Sequence, residues 1–177
     1  MTMGCNALLA ALARAHDEVA AFGFHLSKVC LAVIVFSFSA EVVARYFFNA
    51  PLWWANEVVS YALCIGAFLA MPEVTRQHGH IAVTFLPEML SARPRAVLES
   101  IIHLVGFLAC AAIAWMSLTQ NIAQYVRDVR IIAAVEPIPQ VYISAWITYG
   151  FLSSALYFLR HLSRRAQQVT AVESIRM

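Results

Sequence analysis

Four blocks of apolar sequence, each about as long as a lipid bilayer is thick, constrain this chain more than any other feature. They run from about residue 22 to 48, 56 to 74, 97 to 121 and 138 to 160. A hydrocarbon core of about 30 Å takes ~20 helical residues to cross, and only structures that satisfy every backbone polar group internally can cross it. The blocks are therefore expected to be helices, and the chain an all-α membrane protein: a single membrane domain, residues 1–177, with a bundle of four transmembrane helices. Pro137 and Pro139 sit where the last helix begins, a position that tolerates proline because first-turn N–H groups lack helical partners anyway.

Charge and composition exclude several other classes. Charged residues make up 12% of the chain and hydrophobic ones 62%, about half the charged share of a soluble domain. A formal charge of +2, carried by scattered basic residues, gives no stripe for nucleic acid. Cys5, Cys30, Cys64 and Cys110 are far apart, without the paired spacing of a metal site or disulfide framework; they read as small packing residues. The first block could instead be a signal peptide, with Lys28 before a short apolar core and Ser37 and Ser39 near a cleavage site. Apolar residues resume after Glu41 and continue to Phe48, as a retained span requires.

Basic residues report orientation. The N-terminal segment, the second connection and the tail hold nine of the twelve Lys and Arg; Arg45, Arg127 and Arg130 lie in the first and third connections. Both termini are therefore expected in the cytoplasm. The second connection, from Thr75 to Glu99, has Ala82, Phe85, Leu86, Met89 and Leu90 at near-helical spacing before Arg93 and Arg95. It predicts a short interfacial helix lying among membrane lipids, with Pro87 favouring a plain loop instead. Residues 6–21 mix Leu8, Leu9 and Leu12 with Arg14, Asp17 and Glu18 and suggest a second surface helix.

Ionisable groups inside spans are the first functional candidates. Glu41 and Arg45 share one face of the first helix at i, i+4, which predicts an ion pair. After them come Asn49 and Pro51, turn residues, then Trp53 and Trp54, suited to headgroup level, and Glu57, which could pair with Arg45 across the turn. Among six histidines, His78 and His80 have no cysteine or carboxylate cluster beside them, a weak pattern for zinc. His103 lies in the third span, whereas His25 and His161 look juxtamembrane, so the two imidazoles a haem requires are not evident. No Ser/His/Asp set, glycine-rich phosphate loop or HExxH motif is present, so the chain is expected to be no enzyme and to hold no cofactor.

Two signatures, Arg45-Tyr46-Phe47-Phe48-Asn49-Ala50-Pro51-Leu52-Trp53 followed by Glu57, and Arg76-Gln77-His78-Gly79-His80-Ile81-Ala82-Val83, resemble those of the small membrane subunit of tripartite ATP-independent periplasmic (TRAP) transporters. Pro137-Ile138-Pro139 is a third, weaker match. Where the family often has two consecutive acidic residues, this chain has Asn56 and Glu57. The resemblance implies a bacterial inner-membrane subunit with His80 at the family's histidine position. Its partners would be a large TRAP membrane subunit, which moves the solute on an ion gradient, commonly sodium, and a periplasmic solute-binding protein that captures it. The small subunit would act as a scaffold for the large one and offer part of the docking surface for the binding protein. Two other readings remain at this stage: an autonomous four-helix ion-coupled exporter using Glu41, and the membrane anchor of a redox complex.

Overall fold

The computed structural model describes the backbone of residues 2–77, 92–131 and 138–176, and the side chains of residues 10–77, 97–130 and 139–163. Four long helices dominate: α1 (Thr2–Phe48), α2 (Ala55–Arg76), α3 (Ala92–Val126) and α4 (Val141–Arg176). Each contains a segment long and apolar enough to cross a membrane. The N-terminal stretch is no separate surface helix. It continues into α1 without a break, because no proline lies between Thr2 and Phe48 to remove a helical N–H. Likewise α4 runs on to Arg176, with neither proline nor glycine after Gly150. The interfacial helix expected between α2 and α3 falls on residues outside those described.

The helices pack as an open row in place of a closed bundle. Among the described residues α1 lies against α2, α2 against α4, and α4 against α3. The row is thus two antiparallel hairpins joined along α2 and α4, with α1 and α3 at its edges.

Small side chains explain the close packing. On α1 the residues turned inward include Ala20, Gly23, Ser27, Cys30, Ser37 and Ala44, spaced by three, four or seven residues so that they share one face. On α3 they include Gly106, Cys110, Ala114 and Ser117. In lipid the hydrophobic effect cannot drive helices together, so association depends on backbones approaching closely enough for dispersion contacts and side-chain hydrogen bonds. A Cβ on Gly66 would stand 3.0 Å from the Cys30 Cβ, and one on Gly106 2.8 Å from the Phe158 ring.

The joint between the hairpins depends on Pro72 and Gly150. Pro72 is buried inside α2 and cannot donate to the Phe68 carbonyl one turn earlier. That carbonyl faces α4, where a Cβ on Gly150 would lie 2.9 Å from its oxygen. Glycine lets α4 cover a backbone group that proline has left without its helical partner, which is how spanning helices tolerate proline.

Two turns close one end of the row. After α1, Asn49 takes φ 49°, and the Ala50 N–H returns to the Ala44 carbonyl at 3.2 Å; asparagine is among the few non-glycine residues that visit this left-handed region readily. Between α3 and α4, Asp128 has φ 45°. There the short strands β1 (Arg130–Ile131) and β2 (Ile138–Pro139) pair antiparallel, Arg130 opposite Pro139 and Ile131 opposite Ile138. This pairing is the one departure from an all-helical chain among the described residues.

Candidate functional site

Polar side chains gather at the two ends of the row and leave its middle mostly apolar. At the turn end, the Arg45 guanidinium donates to the Glu41 carboxylate, the i, i+4 pair expected from spacing. Glu41 is only 7% exposed, because it continues the inward stripe of α1, whereas Arg45 reaches outward. A buried carboxylate keeps its charge at tolerable cost only with such a partner. Asn49 is exposed at the turn and Trp53 is 61% exposed, while Trp54 and Glu57 are half-buried at the start of α2. Of the candidates, the structure thus brings Glu41 and Arg45 into direct contact and sets Asn49, Trp53, Trp54 and Glu57 around the same turn. His80 lies outside the described residues.

The end carrying the chain termini holds a more extensive cluster that the sequence did not reveal. Arg160 of α4 grips Asp17 of α1 through both guanidinium nitrogens, at 2.6 and 3.2 Å, and the Tyr157 hydroxyl donates to the same carboxylate at 2.9 Å. His16 Nε2 and the Ser153 hydroxyl lie 2.7 Å apart, and the His16 ring packs on Tyr157 with centroids 4.5 Å apart. From α2, Thr75 donates to Ser154 at 3.3 Å, and Glu73 accepts from Arg76 at 2.5 and 2.7 Å and from Gln77 at 2.6 Å. A cavity of ≈130 Å³ lies among Asp17, Arg76, Tyr157, Arg160 and His161. The legible signal was the spacing of Ser153, Tyr157, Arg160 and His161 on one face of α4. The partners of Ser153, Tyr157 and Arg160 lie more than 130 residues away on α1, beyond the reach of local pattern.

Replacing Arg160 with alanine is expected to destabilise the protein by about 1–3 kcal/mol, since it removes the charge partner of a half-buried carboxylate. Asp17→Asn in the Arg160→Ala background should recover part of that loss. Thermal unfolding of detergent-solubilised protein reads both; equal stability of wild type and Arg160→Ala would show the pair to be merely superficial.

His161, expected near the membrane surface and apart from His103, stands beside it on the neighbouring helix, ring centroids 5.5 Å apart. His103 Nδ1 lies 2.5 Å from the Glu99 carbonyl, so that nitrogen carries the proton. Among the described residues no group of three or more His, Cys, Asp or Glu side chains gathers as metal ligands. Nearer the turn end, the Ser117 and Thr148 hydroxyls lie 2.7 Å apart, and Asn121 donates to Thr148 at 2.7 Å while its buried Oδ1 has no hydrogen-bond partner. These contacts fasten α3 to α4.

Between Asp17 and Glu41, α1 rises by roughly 36 Å at ~1.5 Å per residue, slightly more than a hydrocarbon core of about 30 Å. Four apolar helices ending in polar belts so spaced define a multi-pass membrane protein. Residues 30–168 match the family model described as tripartite ATP-independent periplasmic transporters, DctQ component. The chain belongs to this family: it is the small membrane component of a TRAP transporter, a subunit of a solute-transport system and no enzyme. No curated protein matches the chain.

Proposed function

We propose that the chain is the scaffold subunit of a TRAP uptake system in the bacterial inner membrane, a single membrane domain that packs against the large transport subunit. The observation that carries this reading is the open row. Both edge helices have one extensive neighbour, and long apolar side chains such as Phe36, Val43, Trp115 and Met116 are exposed along them. Lipid can cover such faces, but they also offer a second membrane protein a broad apolar surface. The large subunit moves the solute on an ion gradient, commonly of sodium, and the turn end, with Arg45, Asn49, Trp53, Trp54 and Glu57, helps dock the periplasmic binding protein. Affinity capture of this chain from membranes expressing all three components should retain the large subunit, and its absence from the captured material would overturn the scaffold reading.

The imbalance of basic residues supports cytoplasmic termini and a periplasmic turn end. The Glu41–Arg45 pair also weakens the exporter alternative, since the guanidinium already occupies the carboxylate that a transported cation would need. A periplasm-active reporter enzyme fused after Met177 should be inactive and one inserted beside Arg130 active. The reverse pattern would invert the topology.

A further inference from the structure

We infer that the cavity among α1, α2 and α4 at the terminal end of the row binds the phosphate group of an anionic phospholipid between the guanidiniums of Arg76 and Arg160. The site lies wholly within this chain, so it stands apart from the partnership with the large subunit.

Depth selects the kind of ligand. The apolar blocks span residues 22–48, 56–74 and 138–160, so Asp17 stands five residues before the first, Arg76 two residues past the second and Arg160 at the end of the last. Three helices thus bring the cavity residues separately to the edge of the apolar layer, where lipid phosphates are the abundant anions. In the row α1 and α4 flank α2, and the Arg160 and Tyr157 side chains reach across to Asp17. The cavity of ≈130 Å³ lies where they meet Arg76 and His161, and it is many times the ~10–15 Å³ that one water needs.

The carboxylates at this cavity are already engaged, Asp17 by Arg160 and Tyr157, and Glu73 by Arg76 and Gln77. The guanidiniums have donors to spare. Each carries five N–H groups. Among the described residues, Asp17 and the Ala13 carbonyl take three from Arg160 and Glu73 takes two from Arg76, which leaves two and three. The planar N–H fork of arginine matches phosphate oxygens. The Arg76 and Arg160 side chains are 39% and 25% exposed, so a headgroup can reach them from outside. Within five residues of Asp17, Arg76 or Arg160 the sequence adds three arginines, Arg14, Arg164 and Arg165, against one carboxylate besides Glu73, namely Glu18. That excess favours an anionic headgroup over a zwitterionic one, as in other basic pockets between spanning helices.

Native mass spectrometry of the full chain, titrated in detergent with phosphatidylglycerol or with phosphatidylcholine of the same acyl chains, tests the site. Phosphatidylglycerol should bind about tenfold more tightly, and equal binding of the two lipids would overturn the inference. Glu73→Gln combined with Arg76→Gln leaves the net charge unchanged, so it reads the guanidinium and not charge in general. This double variant should cut the preference to about twofold, whereas Arg130→Gln at the opposite end should keep it whole. A preference intact in the double variant, or lost equally in Arg130→Gln, would remove the site from this cavity. Excess inorganic phosphate at constant ionic strength should leave the lipid bound; displacement would assign the cavity to the free ion and overturn the lipid. The unaltered chain supplies a second reading. Phosphatidylglycerol with a photoactivatable headgroup should label peptides containing residues 73–77 or 157–161, and labelling confined to the turn end would contradict the assignment whatever the variants show.

Discussion

Vesicles containing this chain alone are expected to accumulate no solute above protein-free controls when a sodium gradient is imposed, and uptake should begin once the large subunit and the binding protein are added. The reason lies in the row. Carriers hold solute and coupling ions near the bilayer midplane, at helices interrupted so that helix ends and unwound carbonyls face the site. Here α1, α2, α3 and α4 are each continuous between the polar belts, and the proline inside α2, Pro72, lies beside the belt residue Glu73. The interior polar groups Ser117, Asn121 and Thr148 bond chiefly to one another. Radiolabelled solute, chosen by screening the binding protein, gives the readout; gradient-driven accumulation by the single chain would contradict the proposed division of labour.

Exchanging Gly150 for leucine is expected to cause the largest loss of stability of any single substitution in the row. A Cβ at that position would lie 2.9 Å from the Phe68 carbonyl oxygen and 3.0 Å from its side chain. The first of these is backbone, which cannot turn aside as a side-chain tip can, so α2 and α4 would have to separate. Overpacking a well-packed contact typically costs about 1–3 kcal/mol. Here the upper end or more is expected, because the Phe68 carbonyl left open by Pro72 would also lose its cover. The α2–α4 joint is the main link between the two hairpins, so its opening should pull Thr75 from Ser154 and Arg160 from Asp17 as well. Cysteine crosslinking between α2 and α4, together with thermal stability in detergent, checks this. Gly150→Ala should lose less, because a methyl group asks for a smaller shift. A leucine variant as stable as wild type would show that the helices can slide apart freely.

The contrast between Glu41–Arg45 and Asp17–Arg160 marks where local pattern stops. The first pair lies one turn apart on one helix, so spacing alone foretold it. The second joins α1 to α4 across most of the chain, and Asp17 read by itself was one charge in an amphipathic N-terminal stretch. The same limit applies to His161. In sequence it stands just beyond the fourth apolar block, but its nearness to His103 depends on how far α3 and α4 are offset.

Contiguous residues alone carry the four candidate membrane spans, the place of the first turn and the family signature. Apolar length, turn chemistry and motif order are properties of contiguous residues, and the bilayer enforces them with large penalties. The order of the four helices in the row, with α2 against α4, is visible only once they are packed. An apolar helix is equally soluble in lipid on every side, so hydrophobic periodicity carries no instruction about its neighbours. Neighbours are chosen by close approach at Gly66, Gly106 and Gly150 and by a few interhelical polar contacts, short-range interactions whose partners are distant in the chain.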